Sequence, residues 1–357
     1  MSETPGVAVE LTGVQKVYGP VRVLDIDRLT LSAGEIVALV GENGAGKSTL
    51  MGSLAGTVAP DLGRIAIRGR ELPLGDPAAA AAAGVAMVSQ EFPLVGQLSV
   101  GENLFLGTPP PGTRHGVIDF RRLHREAQTL LDGLGLEIGS RQRLDALSVA
   151  QRQLVEIAKA WRRRPLLLIL DEPTSALGPV EAELVLGLAR RHARAGGVVL
   201  FVGHRLDEVL GIADRIVVLR NGEKVAELAR AEASEQRLVK AMVGSELATQ
   251  SPAERREHRD VVLHAEQLVA DGLGPIDLDV HAGEVVGVAG LMGSGRSRLL
   301  HTIFGAQPAL DGRMTLRGAG HAPRSAKDGI AAGITLVAED RKQQSILPTR
   351  RSAGTSA

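Results

Sequence analysis

The stretch GENGAGKST at residues 41–49 constrains this chain more than any other, because the pattern G-x-x-x-x-G-K-[ST] does its chemistry only between a strand and a helix. The run before it, Ile36–Val40 (IVALV), is short, apolar and rich in β-branched residues, as a strand buried on both faces should be. A helix is expected to open at Lys47. Gly41, Gly44 and Gly46 allow positive φ, so that backbone N–H groups turn onto phosphate oxygens, and the helix N-terminus adds positive potential. Glu42, Asn43, Ala45 and Thr49 complete the cradle. Lys47 can reach β- and γ-phosphates as a point charge, and the Ser48 hydroxyl can ligate Mg²⁺. The pattern implies binding of a nucleoside triphosphate.

Composition narrows the alternatives. A chain of 357 residues is expected to hold more than one domain. Its 41 basic and 41 acidic residues cancel, so no broad field for nucleic acid or an anionic membrane is expected. The absence of cysteine excludes disulfides, thiolate metal sites and thiol catalysis. No apolar run approaches ~20 residues, and the N-terminal MSETPGVAVE has no basic region followed by an apolar one. Any membrane role is therefore expected to be peripheral.

The cradle recurs as GLMGSGRS at 290–297, and 290 − 41 gives an offset of 249. The same offset relates Gly34-Glu35 to Gly283-Glu284, Gly56 to Gly305, Gly63-Arg64 to Gly312-Arg313 and Gly84 to Gly333. The expectation is a first domain over 1–247, a polar linker over 248–260 and a partial second copy over 261–357. Arg296 replaces Lys47 in the second cradle, and its planar fork is no substitute for an ammonium group, so that copy is expected to be a poor catalyst. Counterparts of Asp171 and His204 would fall beyond Ala357, and the tail TRRSAGTSA at 349–357 loses the apolar pattern. Truncation of the second copy is the expectation, a natural unstructured tail the alternative.

Within the first domain, LLLIL at 166–170 reads as a second buried strand ending at Asp171-Glu172. Asp171 is placed to hold Mg²⁺ through water, and Glu172 to orient and deprotonate the attacking water; a solvated strand edge is the alternative. His204 follows VVLFV at 198–202 and Gln90 follows VAMV at 85–88, both at strand ends. His204 could bond a γ-phosphate and Gln90 the metal or water, although either residue alone is more often structural. In LSVAQRQLVEIAKAW, 147–161, Ser148 precedes a helix whose start can present N–H groups and a hydroxyl to an anion. Tyr18, the only tyrosine, is either a platform for adenine or an ordinary core aromatic.

Tyr18, GENGAGKST, Gln90, LSVAQ, LLLILDEP and His204, in this order, resemble the nucleotide-binding domain of ABC transporters. MVSQE, VEIAKA, DEPTSAL, GHRLDEV, GLMGSGRS and AEDRK narrow the resemblance to the double-cassette ATPase subunits of bacterial monosaccharide importers of the ribose, arabinose, galactose and xylose type, over Val7 to about Lys342. The resemblance implies an α/β P-loop cassette, with a mixed sheet core and a helical signature subdomain, followed by a partial second copy. By that likeness Lys47, Ser48, Gln90, Asp171, Glu172 and His204 carry ATP hydrolysis with Mg²⁺. Ser148, Ala150 and Gln151 belong to the signature that caps nucleotide held by an opposing domain. Permease subunits, a periplasmic or lipid-anchored sugar-binding protein and a place on the cytoplasmic face of the membrane are implied too, with a homodimer as a further possibility and no nucleic acid. Ala150 stands where the signature usually has Gly, Gly178 where many relatives have Asp, and Gly203 where Ser is common. A soluble twin-cassette ATPase and a transport-incompetent ATP-binding fragment are the competing readings.

Overall fold

The computed structural model describes residues 6–89, 94–108, 110, 112–113, 117–244, 260–290 and 294–337. The chain divides into two compact units, Met1–Thr249 and Gln250–Ala357.

The first unit opens with a long antiparallel hairpin, β1 (Val7–Tyr18) and β2 (Val21–Ser32), followed by β3 (Ile36–Val40) and α1 (Lys47–Leu54). Next come β4 (Leu62–Ile67), β5 (Arg70–Glu71), α2 (Pro77–Ala82) and β6 (Val85–Val88). A helical stretch carries α3 (Val100–Phe105), α4 (Phe120–Leu134) and α5 (Val149–Arg162). The chain then alternates through β7 (Leu167–Asp171), α6 (Pro179–Arg194), β8 (Val198–Val202), α7 (Leu206–Ile212), β9 (Arg215–Arg220), β10 (Glu223–Ala229) and α8 (Glu235–Val243). Ten strands form one sheet in the order β5-β4-β1-β2-β10-β9-β3-β8-β7-β6. The run β9-β3-β8-β7-β6 is parallel.

Strand alternation explains why the central strands are apolar at every position. Ile36, Ala38 and Val40 of β3 face one core with Leu168, Leu170, Val199 and Phe201, whereas Val37 and Leu39 face a second with Leu167, Ile169, Leu200 and Val202. Each such side chain contributes about 1.5–3 kcal/mol by leaving water, so a polar residue on either face of β3 would be costly. On the helical side, Leu123, Ala127, Leu131 and Leu134 of α4 are buried at helical spacing, between the Asp119 cap and Gly135, whose φ of 75° closes the helix.

The second unit is described by itself. It holds an antiparallel sheet in the order β12-β11-β13-β14, made of β11 (Val261–Ala270), β12 (Leu273–His281), β13 (Asp311–Leu316) and β14 (Ala319–Gly320), with α9 (Arg296–Phe304) and α10 (Ala326–Ala331). The expectation of a partial second cassette is corrected here. Residues 285–289 match the position of β3 by the offset, yet they form no strand and are exposed, with Val285 at 97%. Among its described residues the unit has no parallel strand pair. What recurs at the offset is peripheral: α9, β13, β14 and α10 fall where α1, β4, β5 and α2 do, with left-handed glycines at the matched turns, Gly46 and Gly295 at φ of 98° and 95° and Gly63 and Gly312 at 95° and 90°. The unit buries a small core of its own, with Ala265, Leu268, Leu299, Ile303 and Met314, but among its described residues it lacks the central parallel sheet that makes a cassette. Most of the expected linker, 248–259, lies outside the described residues, as do 291–293 and 338–357.

Candidate functional site

The cradle leaves β3 at Gly41 and enters α1 at Lys47. Gly44 and Gly46 both have positive φ, and a Cβ at Gly46 would stand 2.7 Å from the Val23 carbonyl oxygen. Glycine is therefore needed at 46 for conformation and for space. The loop is tied down from both sides: the Ala45 N–H donates to Glu42 O at 3.1 Å, and the Gly222 N–H to Ala45 O at 3.1 Å. Lys47 curls back over the loop, its Nζ donating to the carbonyls of Gly41 at 2.7 Å and Glu42 at 2.9 Å. Ala45 is buried, whereas Glu42, Asn43, Gly44 and Ser48 are exposed and Thr49 is half-buried. An open, pre-shaped loop with its lysine held at the rim suits phosphate.

The acidic pair lies against that loop. Asp171 ends β7 opposite Val202 of β8, and the Glu172 N–H donates to Val202 O at 2.8 Å. Glu172 has a φ of 47°, unusual for a side-chain-bearing residue. His204, two residues beyond β8, brings Nδ1 to 3.2 Å from Glu172 Oε1, with His204 largely exposed and Glu172 mostly covered. Burial raises the Asp171 carboxyl above its ordinary range and the neighbouring Glu172 adds to this, while Lys47 opposes it. Burial likewise lowers the Lys47 ammonium, with Glu172 and Asp171 pulling the other way. Lys47, Asp171 and Glu172 thus share one field, at the C-terminal ends of parallel strands where open α/β sheets place ligands.

The residues fit Mg²⁺ held jointly with a phosphate ligand. Excess negative charge around Asp171 favours a cation, but no group of three or more metal-ligating side chains occurs among the described residues. Mg²⁺ that keeps several waters and takes one hydroxyl and substrate phosphates needs no such cage.

The remaining expected residues are more dispersed. Ser148 caps α5 through a reciprocal box: the Gln151 N–H donates to Ser148 Oγ at 3.2 Å, and the Ser148 N–H to Gln151 Oε1 at 3.1 Å. Ala150 is half-buried and packs against the helical core. Tyr18 is no core aromatic: it is 52% exposed at the end of β1, with Lys16 Nζ 5.1 Å from its ring centroid. Gln90 lies outside the described residues.

Two contributors were not singled out from sequence. Gln153 is buried on α5, and its Nε2 donates to Pro173 O at 2.7 Å, tying the capped helix to the loop after Glu172. Its position five residues after Ser148, on the apolar face of α5, was the available signal. Thr174 Oγ1 donates to Glu208 Oε2 at 2.5 Å, and Glu208 is paired with Arg205 at 2.7 Å. The segments carrying Glu172 and His204 are joined a second time by that contact.

The family model for ABC transporters matches residues 24–175. The chain is 42% identical to the ribose import ATP-binding protein RbsA of Chromobacterium violaceum over 95% of its own length and 68% of that protein. It belongs to the ABC transporter ATP-binding family. It is also 39% identical, over 97% of its length and 67% of the relative, to a putative ribose/galactose/methyl galactoside import ATP-binding protein of Rhizobium etli. The chain thus spans about two thirds of the length of these relatives. Among solved structures it resembles the dimeric, post-hydrolysis ATP-binding cassette MJ0796 bound to ADP and Pi, with a TM-score of 0.54, 27% identity and coverage of 62% of this chain and 98% of that one. A second cassette, MJ1267, gives a TM-score of 0.59 at 25% identity, covering 66% and 98%. The protein is an ATP-binding and ATP-hydrolysing ABC subunit that uses Mg²⁺. The matched stretch lies wholly inside the first unit, so the double-cassette resemblance, with a truncated second cassette, is corrected to a single ABC ATP-binding domain. No described helix is long and apolar enough to cross a membrane.

Proposed function

We propose that this ATPase energises the import of a monosaccharide or related small carbohydrate through a membrane permease, to whose cytoplasmic face it binds peripherally. The observation that carries this reading is the 42% identity, over 95% of the chain, to a ribose import ATP-binding protein. The permease and a periplasmic or lipid-anchored sugar-binding protein are its proposed partners.

The geometry supports a division of labour. Lys47 leaves the carbonyls of Gly41 and Glu42 to neutralise β- and γ-phosphate oxygens, and the Gly41–Gly46 backbone N–H groups bind the rest of the phosphate chain. Ser48 and Asp171 are positioned to hold Mg²⁺, with Gln90 assigned to the same role by sequence; when bound, the metal offsets charge on the phosphates. Glu172 takes the proton of the attacking water. His204, anchored to Glu172 Oε1 at 3.2 Å, orients that carboxylate and reaches toward the γ-phosphate. Tyr18, exposed at the hairpin end, offers a face to adenine. Ser148, Ala150 and Gln151 cap the nucleotide of an opposing domain, and a second copy of this chain is one source of it, in the manner of dimeric MJ0796.

Reconstitution with a sugar-importer permease, and uptake of labelled ribose, galactose, arabinose and xylose into vesicles loaded with MgATP, tests the reading. ATP-dependent accumulation of at least one of these sugars is expected. ATP-dependent movement of a non-carbohydrate alone would overturn it.

A further inference from the structure

At the sheet edge opposite the cradle, Gly84, Leu166 and Gly197 lead into β6, β7 and β8 and border an open pocket of about 670 Å³. These strands are parallel, so the pocket sits at their N-terminal ends, about 16 Å from the ends that carry Asp171 and His204. Arg68, Arg163, Arg164 and Arg191 line it with Trp161 and His192, and no acidic residue does. Among the described residues, ion pairs engage other arginines and none of these four.

Helix ends do not balance that charge. Arg163 and Arg164 follow α5, and Arg191 lies in the last turn of α6. The C-termini of α5, α6 and the short α2 supply together about one and a half negative charges against four guanidinium groups; Glu156 acts on Arg163 and Arg191 donates to Gly133 O at 3.4 Å, which still leaves the pocket net positive. Arg164 and Arg68 also have φ of 46° and 49°, a region glycine enters most easily, and yet long cations stand there. Arg191 lies over the Trp161 ring, 5.2 Å from its centroid, and His192 meets the same ring edge-on at 5.6 Å. His192 is buried, and a Cβ at Gly197 would stand 2.2 Å from its Nε2, so its ring forms closed wall and the arginines supply the pocket's polar groups.

We propose that this pocket is a second anion site, distinct from the nucleotide cradle, which binds a soluble small molecule bearing a multiply charged phosphate. Guanidinium forks match phosphate oxygens in pairs. Arg191 already covers a face of the Trp161 ring, so the arginines and the phosphate charge, not base stacking, define the ligand. The ligand would fasten the far end of α5, whose near end carries Ser148 and Gln151.

Trp161 is the only tryptophan, so its emission reads the pocket directly. Sodium pyrophosphate is titrated into the full chain carrying Lys47→Ala, which removes the cradle's own phosphate affinity. A saturable change in emission with a Kd below about 1 mM is expected. Adding Arg68→Ser and Arg164→Ser should weaken it at least about tenfold, while the same two changes in the Lys47 background leave MgATP affinity unchanged. Should the double variant fail to fold, Arg68→Ser alone, in the turn between β4 and β5, should weaken binding about threefold. A linear or absent response, or one indifferent to the arginines, overturns the proposal. A response to vesicles of phosphatidic acid but not to pyrophosphate also overturns it, by making the ligand a membrane surface.

Discussion

His204 Nδ1 stands 3.2 Å from Glu172 Oε1, across the ends of two neighbouring parallel strands. The Glu172 N–H is fixed to Val202 O, so backbone and side chain of this residue are both tethered to β8 and the segment after it. A carboxylate held in one orientation loses little entropy when it engages a water. Glu172→Gln should slow ATP hydrolysis by on the order of 10²–10⁴-fold while nucleotide affinity stays within about threefold. His204→Ala should reduce the rate less, on the order of 10–10²-fold. Single-turnover hydrolysis beside calorimetric binding checks both; an equal loss of affinity and rate would place Glu172 in nucleotide binding.

Asp171 carries a stability cost in the nucleotide-free protein. Its folded pKa lies above the ordinary carboxylate value because of burial and the adjacent Glu172. Such a group makes the folded state bind more protons than the unfolded one, so stability falls as pH rises from the unfolded pKa through the folded one. Asp171→Asn is therefore expected to raise the melting temperature at neutral pH by about 2–4 °C for each kcal/mol relieved, to flatten the acid limb of the stability profile, and to lose Mg²⁺-dependent hydrolysis. A lower melting temperature would show that the carboxylate is structural.

The strand ends that hold the cradle, Asp171 and His204 were legible because each follows a short apolar run, at 36–40, 166–170 and 198–202. Ile36–Val40 and Val198–Val202 are strands buried at every position, and the residues after them are those the cradle and His204 occupy. The repeat of glycines did not carry the parallel sheet with it at 285–289. VVGVAG looks like IVALV in composition, but a doubly buried strand needs strands beside it, and Val285 is 97% exposed. Glycine spacing reported the turns and the elements they bound, not the central sheet. Tyr18 was left between two readings because burial depends on what packs across the hairpin, which local sequence does not encode. Gln153 was overlooked because its importance lies in a contact twenty residues away, with the Pro173 carbonyl.

Gln153 links the capped helix α5 to the loop that follows Glu172. Gln153→Leu keeps the volume and removes the donor, leaving the Pro173 carbonyl buried without this bond at a cost of about 1–3 kcal/mol. The melting temperature should fall by a few degrees. Hydrolysis should fall further than MgATP affinity, since the displaced segment begins at the proposed base. Gln153→Met, which retains size but not the donor, should behave like the leucine variant; a rate near that of the unaltered protein in both would separate this contact from catalysis.

The last expectation concerns the capping residues. Ser148 Oγ and the Gln151 side chain are already committed to each other's backbone N–H groups, so what α5 can offer a phosphate is its N-terminal field and the outer lone pair of the Ser148 oxygen. If that offer is made to nucleotide in another copy, the rate per chain must depend on how often two copies meet. ATPase activity per mole should then rise with protein concentration, steeply below the dimer Kd and level above it. Ser148→Arg should abolish the rise while leaving MgATP binding at the copy's own cradle intact. Ala150 places a methyl group on the same turn, where it is half-buried against the helical core; Ala150→Gly opens the backbone to phosphate at a helix cost of about 1 kcal/mol, and should raise the plateau rate. Activity per mole that stays constant over a thousandfold dilution would exclude a site shared between copies.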